Sequence, residues 1–559
     1  MTDLIVTLEQ GKIRGKRSTD YREGTYTSYL GIPYAKSPVG DLRFKAPQPP
    51  EPWEGIRDCS KEGNECPSLH MFFEYHVGNE EDCLNLNVHC KNLCPDRNTP
   101  VMVWIHGGAF MYGSNRSEMF GVDYFMTQDI VLVAINYRLG VFGFLSLDDP
   151  DANVPGNNGL KDMVMALKWV QKNIRQFGGD PDNVTIFGES AGSAAVHYLV
   201  VSEMARGLFH KAIMQSGCTL NDWSIGKTNG HIIAELLGYD EKDDCKILEK
   251  LRKESAKTIV ASQFKFEDLM VAKTVRPFGP VVEKCSSEPA FLKKSPLEIL
   301  KEGSFNKVPM IMGYNSEEGV FYEAIRKTKN AKLDNNLEKE IPHTMNLELG
   351  EAKSKSIAKK IRDFYFKGQD LKEENIANLY TLKSDNNFVY GVVKSIQYQR
   401  KSSPEPIYAY RMSLESSLNL YKRICSAKHV KTLFLFYILI KNNLFYLRNF
   451  YHSCTHLISN RPLSGVCHAD DLGYMFKMFF SPNIVEGSKE DMYIRRFIKL
   501  WTNFARYGNP TPESDCLFNA VSWTPVSSDD VNMLDIGEQL NVIDNPDMDR
   551  VKFWDTIVE

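Results

Sequence analysis

Val184-Thr185-Ile186-Phe187-Gly188-Glu189-Ser190-Ala191-Gly192-Ser193 is the stretch on which the fold turns. A β-branched and aromatic run ends in Gly-x-Ser-x-Gly and gives way to the helix-compatible Ala194-Ala195-Val196, the order of a strand, a sharp turn and a helix. Such a turn forces Ser190 into a strained backbone conformation, and the flanking glycines let strand and helix pass closely. The hydroxyl of Ser190 then projects clear of the sheet as a candidate nucleophile. The pattern by itself also fits a Gly/Ser turn without chemistry. The strand before it and the helix after it favour the nucleophile.

Working outward, Val101-Met102-Val103-Trp104-Ile105 and Ile130-Val131-Leu132-Val133-Ala134-Ile135 are continuous apolar runs, as expected of strands covered on both faces. Between Asp162 and Phe177, Met163, Ala166, Leu167, Val170 and Ile174 recur at helical spacing, with Lys168, Lys172 and Arg175 on the remaining face. Gly178-Gly179-Asp180-Pro181 stops that helix. Further strands are predicted at Val308–Met312 and Ile407–Arg411, and short antiparallel edge strands among the Pro and Gly turns of the first hundred residues. The lysine-rich stretch from Lys327 to Lys372 reads as a solvated helical face. Strands alternating with helices give an α/β fold, a large mostly parallel mixed sheet flanked by helices, with active groups beyond the carboxyl ends of the strands. Residues 1–559 are expected to form a single catalytic domain with helical insertions.

Composition narrows the function classes. Hydrophobic residues at 43% and charged residues at 25% are those of a globular protein. A formal charge of −4 gives no electrostatic footprint for nucleic acid or anionic lipid, so the expected partner is a small molecule. Met1-Thr2-Asp3-Leu4-Ile5-Val6-Thr7-Leu8 has no basic n-region and no long apolar stretch, which predicts a cytoplasmic protein. Twelve cysteines lack any CxxC or Cys/His ligand spacing, so neither a zinc site nor a disulfide scaffold is expected. Cys66 and Cys83 could close a loop, but in the cytoplasm the pair is expected to be reduced. Residues 429–460, rich in Phe, Leu, Tyr and Asn, break the composition of their surroundings; their longest apolar run is eight residues, against the ~20 needed to cross a bilayer. They read as an extra buried or interfacial helix, or as translated non-coding sequence.

Ser190 needs a base to take its proton and a carboxylate to hold that base. In folds built on such an elbow, both follow the nucleophile in the chain. His468 lies in Gly465-Val466-Cys467-His468-Ala469-Asp470-Asp471, a small-residue loop that could expose an imidazole, whereas His197, one helical step beyond the elbow, reads as local packing. Gly313-Tyr314-Asn315-Ser316-Glu317-Glu318-Gly319-Val320 follows a predicted strand and puts two carboxylates at the functional edge of the sheet. Position alone does not choose between Glu317 and Glu318. His106-Gly107-Gly108-Ala109-Phe110 follows the first buried strand, where backbone N–H donors for an oxyanion belong, and the N–H of Ala191 completes the set.

These motifs resemble those of the type-B carboxylesterases, α/β-hydrolases whose family also contains the cholinesterases. The resemblance runs nearly end to end, through Leu30–Ala35, Leu42-Arg43-Phe44, Glu81–Val88, Asn136–Gly140, Gly156–Asp162, Phe177–Pro181 and the elbow Gly188–Gly192. It implies Ser190 as acylated nucleophile, Glu318 as acid and His468 as base, with oxyanion donors at Gly108, Ala109 and Ala191, and no cofactor. The implied activity is hydrolysis of carboxylic esters, xenobiotic or lipid-derived, as in the intracellular insect detoxifying esterases. Departures from the family pattern are Ala109 for a glycine, Met163 for a glutamine, and the long interval between Glu318 and His468 created by residues 429–460. The Cys66–Cys83 loop carries Phe72, Phe73 and Tyr75 but no Trp, which weighs against a cholinesterase, and Glu189 stands where juvenile-hormone esterases have Gln. A slow sequestering esterase and a neuroligin-like binding protein are the rival readings, the second opposed by a filled triad.

Overall fold

Along Thr99–Ile105 the side chains of Val101, Val103 and Ile105 enter one apolar layer and those of Met102 and Trp104 the opposite one, all fully buried. Both faces of this strand are covered, as its unbroken apolar run requires. Each fully buried Val, Leu or Ile of this kind is worth about 1.5–3 kcal/mol. The computed structural model describes residues 4–69, 76–78, 81–263, 278–284, 289–328, 331–426, 463–512, 516–518, 520–527 and 531–558. The atypical segment 429–460 and the Phe72, Phe73 and Tyr75 loop lie outside the described residues.

The main sheet has eleven strands among the described residues. In chain order they are β1 (Lys16–Thr19), β2 (Thr25–Pro33), β3 (Asn85–Cys90), β4 (Thr99–Ile105), β5 (Val131–Ile135), β6 (Gly179–Glu189), β7 (Lys211–Gln215), β8 (Met310–Asn315), β9 (Ile407–Met412), β10 (Asn532–Ile536) and β11 (Leu540–Asp544). Their spatial order is β11-β10-β9-β8-β7-β6-β4-β5-β3-β2-β1. The strands from β5 across to β10 pair in parallel, while β1, β2 and β3 on one edge and β11 on the other pair antiparallel. The predicted antiparallel edge is therefore present. Beside it, Ile5–Thr7, Lys12–Arg14 and Ile56–Asp58 form a separate three-stranded sheet.

Strand β4 lies between β5 and β6, so the direction of strand succession reverses there. Open α/β sheets bind ligands at the carboxyl side of such a reversal. The segment after β4 and the turn after β6 consequently share one corner of the molecule.

The helix that leads into β6 spans Asn158–Asn173, continues as a 3₁₀ turn to Phe177, and ends at Gly178 with φ 80°. Strand β8 begins two residues later than expected, at Met310. The helix Ala352–Phe366 departs from the expected solvated face, because Ile357, Ile361, Tyr365 and Phe366 pack with Trp554 and Ile557 of the last helix into a third apolar cluster.

Cys66 and Cys83, expected to be reduced, are joined in a disulfide. Asn85 brings the two strands of chain together, its Nδ2 donating to the carbonyls of Asn64 at 2.9 Å and Cys83 at 3.1 Å. Both sulfurs sit in residues that are almost wholly buried. Local packing outweighs the compartment argument.

Candidate active site

Ser190 stands at φ 58°, ψ −123°, between β6 and the helix Ala191–Val201. A non-glycine residue held this way stores about 1–3 kcal/mol of backbone strain. It is held because Ser190 N–H donates to the Gln215 carbonyl of β7 at 2.9 Å and its own carbonyl accepts from Ala194 N–H at 2.9 Å. The two glycines of the motif make the turn possible. A Cβ on Gly188 would lie 2.6 Å from the backbone of Gly192, and one on Gly192 would lie 2.0 Å from the carbonyl oxygen of Ile105.

His468 Nε2 lies 2.8 Å from Ser190 Oγ, and His468 Nδ1 lies 2.7 Å from Glu318 Oε2. With the Nδ1 proton donated to Glu318, Nε2 is left to accept the Ser190 hydroxyl proton. Glu318 is fully buried, and its other oxygen accepts Asn315 N–H at 2.7 Å. Of the two carboxylates that sequence position left open, Glu318 is therefore the one that faces the imidazole. Glu317 turns away, accepting from Thr381 Oγ1 at 3.3 Å.

The loop bearing His468 is fastened to the end of β8. Val466 N–H donates to Ser316 Oγ at 3.0 Å, Glu317 N–H donates to the Val466 carbonyl at 2.9 Å, and Asn315 Nδ2 donates to the Cys467 carbonyl at 2.9 Å. Asp470 closes the loop on itself by accepting Cys467 N–H at 2.9 Å. The imidazole is not exposed as the small-residue loop suggested: His468 is only 6% accessible, because Phe388 and Phe321 pack on its ring with centroids at 4.5 Å and 5.7 Å. Ser190 keeps partial exposure.

Burial pushes the His468 pKa down, but the charges of Glu189, Glu318 and Asp471 outweigh it and raise it to about 9. Glu189 Oε1 lies 3.3 Å from His468 Nε2, and burial pushes the Glu189 carboxyl well above the usual range. Asp471 is also buried and is raised to about 6, while it accepts Gln215 Nε2 at 2.6 Å.

After β4, Gly108, Ala109 and Phe110 all have positive φ, at 111°, 60° and 61°. The Gly108 carbonyl accepts from Met111 N–H and Tyr112 N–H, both at 2.9 Å, which curls the segment. Gly107 sits against the elbow, where a Cβ would lie 3.1 Å from Ser190 Cβ. The N–H groups of Gly108, Ala109 and Ala191 have no acceptor among the described residues. Backbone N–H groups without an internal acceptor are free to donate to a bound oxygen. His106, stacked on Tyr137 at 4.4 Å, has its pKa lowered by burial to about 4 and stays neutral beside them.

His197 is fully buried and accepts Thr219 N–H at 3.1 Å, the local packing expected of it. Among the described residues no group of three or more His, Cys, Asp or Glu could hold a metal, and no helix is long and apolar enough to cross a membrane. Sequence reasoning missed Glu189 as a neighbour of the imidazole, and missed Phe321, Phe388 and Trp223 altogether. The adjacency of Glu189 to Ser190 was a usable signal. Phe388 and Trp223 come from distant elements and carried none, while Phe321 lies only three positions after Glu318.

The sequence model of the carboxylesterase family matches residues 2–554. Juvenile hormone esterase of Tribolium castaneum is 34% identical over 98% of this chain and 93% of its own length. Esterase B1 of Culex pipiens is 30% identical over 100% of this chain and 98% of its own. Among solved structures, juvenile hormone esterase from Manduca sexta, with OTFP covalently attached, matches with a TM-score of 0.82 and 28% identity, over 100% of this chain and 99% of that one. With this sheet, this elbow and these relatives, the chain belongs to the carboxylesterase family, has the α/β-hydrolase fold and is a carboxylic ester hydrolase.

Proposed function

We propose that this esterase works through an acyl-enzyme, with Ser190 as nucleophile, His468 as general base and acid, and Glu318 as the carboxylate that orients it. The observation that carries the reading is the unbroken pair of hydrogen bonds from Ser190 Oγ to His468 Nε2 at 2.8 Å and from His468 Nδ1 to Glu318 at 2.7 Å. His468 takes the hydroxyl proton as Ser190 Oγ bonds to the ester carbonyl carbon. The carbonyl oxygen, now negative, is held by the N–H groups of Gly108, Ala109 and Ala191. The carbon–oxygen bond to the alcohol breaks, and His468 returns its proton to the departing oxygen. Water, deprotonated by His468, then attacks the acyl carbon; the bond from that carbon to Ser190 Oγ breaks, His468 returns the proton to Oγ, and the acid leaves. No cofactor enters any step.

For substrates we propose xenobiotic or lipid-derived esters, and a role in detoxification. Apolar rings at His468 and a Ser190 only partly open to solvent support an uncharged, largely apolar ester. A cytoplasmic setting is part of the same proposal. The Cys66–Cys83 disulfide weighs the other way, so the thiol state of that pair in protein taken from the cytosol is the test.

Ser190→Ala is expected to lower kcat for a simple aryl ester by on the order of 10⁴-fold or more while leaving the unfolding midpoint unchanged. Normal turnover in that variant would end the assignment. The wild type should show a burst equal to the number of active sites. Comparing its amplitude with the steady-state rate separates efficient turnover from a sequestering esterase.

A further inference from the structure

Residues Asp385–Val389 form a π-helical turn between the helices Ile376–Ser384 and Tyr390–Ser402, closed by Tyr390 N–H on the Asp385 carbonyl five residues back. The wider turn is rare and concentrates at functional sites, and carbonyls shifted out of the regular ladder can take donors from outside the helix. Here two side chains supply them. Trp223 Nε1 donates to the Asn387 carbonyl at 2.6 Å, and Asn221 Nδ2 donates to the Phe388 carbonyl at 3.1 Å.

Both donors come from the segment that follows β7, the strand whose last carbonyl holds Ser190 N–H. Asn221 is 1% accessible and fixed on every side. Its Oδ1 accepts Cys218 N–H at 2.8 Å, and its backbone carbonyl accepts Ser224 N–H at 2.9 Å and Ser224 Oγ–H at 2.7 Å. Gly391, in the helix after the π turn, leaves the space for this amide, since a Cβ there would lie 2.4 Å from Asn221 Nδ2.

The ring that this arrangement sets is Phe388, with its centroid 4.5 Å from that of His468 and 5.9 Å from that of Trp223. The edge of Trp223 in turn borders the nucleophile: a Cβ on Gly217 would lie 3.2 Å from it and 2.4 Å from the Ser190 carbonyl oxygen. One buried amide thus links the backbone beside Ser190 to the ring beside His468.

We infer that Asn221 is a positioning residue: by holding the Phe388 carbonyl it keeps the π turn in register, and the Phe388 ring so fixed limits the size of the acyl group that Ser190 can carry. The acyl group is the part of the ester that stays bonded to Ser190, so the rings packed beside Ser190 and His468 bound it. The inference rests on Ser190 as nucleophile. Losing the amide leaves the Phe388 carbonyl without its donor, and the turn relaxes toward regular helix with Phe388 swung off His468.

The experiment uses p-nitrophenyl esters from acetyl to octanoyl on the full chain, with rates normalised to active sites titrated by an organophosphate. In Asn221→Ala the ratio of kcat/KM for octanoyl over acetyl ester should rise at least about tenfold, the scale on which an apolar pocket discriminates a methylene or two. Gly391→Ala, which displaces the amide without removing it, should shift the ratio in the same direction, and it carries the test alone if Asn221→Ala yields no titratable sites. A uniform loss along the series, or an unchanged ratio in Gly391→Ala, overturns the inference. Activity surviving in Ser190→Ala would instead overturn the mechanism on which it rests, so the two failures are distinguishable.

Discussion

Glu189 and His468 meet at 3.3 Å beside the nucleophile, and their charges set the pH at which the site can work. The imidazole must be neutral to take a proton from Ser190. Although burial lowers its pKa, Glu189 and Glu318 more than offset this and raise it to about 9, so kcat/KM should climb with pH along a limb displaced above the ordinary histidine value of about 6.5. Glu189→Gln removes one of the charges that stabilise the protonated ring. The pKa then falls, and the acidic limb of the kcat/KM profile should move to lower pH. An unmoved limb would mean that Glu189 already holds its own proton over that range, consistent with burial pushing it up, and would remove it from the electrostatic account. Ala109 belongs to the same scale: it takes φ 60° where glycine has no steric penalty, at a cost of about 1–2 kcal/mol, and keeps its N–H.

The elbow is the element whose form follows most directly from its residues. A β-branched run ending in glycine and a small-residue helix start gave the strand and helix, and the close passage of Gly188, Gly192 and Ile105 gives the physical reason. Gly192→Ala would push a methyl to 2.0 Å from the Ile105 carbonyl, which neither the strand nor the helix can give up without moving Ser190. The expected outcome is a loss of more than about 3 kcal/mol in denaturant unfolding, at the upper end of overpacking costs, with few sites titratable by organophosphate. A variant as stable and as titratable as the wild type would show that the crossing is looser than these contacts imply. The helix 376–402 shows the opposite case. Its apolar spacing is compatible with one continuous helix, and nothing in that spacing marks a π turn, whose register depends on Asn221 and Trp223 from more than a hundred residues away.

At the scale of the whole molecule, Ser190 and His468 are 278 positions apart and Glu318 and His468 are 150 apart, yet they lie in one hydrogen-bonded line. The long interval before His468, a departure from the family pattern, begins and ends close to the site. Cys425 and Cys467, separated by 42 positions, have their sulfurs 3.8 Å apart, so the chain departs and returns at one place beside the site. Removing residues 429–460 is therefore expected to leave activity per titrated site unchanged. A collapse of activity would show that the segment shapes the site itself.

The sequence by itself determined the sheet, the elbow and the candidates for each role, because strand periodicity, glycine-dependent turns and the chemistry of hydroxyl, imidazole and carboxylate are local properties of short stretches. Chain position alone left Glu317 and Glu318 equal, with only the family resemblance choosing Glu318, since adjacent residues differ in the direction their side chains take at the end of β8. It also favoured free thiols at Cys66 and Cys83, where the packing around Asn85 brings the sulfurs together in a disulfide. Those choices, together with the aromatic rings around His468 and the amide that sets one of them, depend on surfaces brought together from distant parts of the chain, and only the folded molecule contains those surfaces.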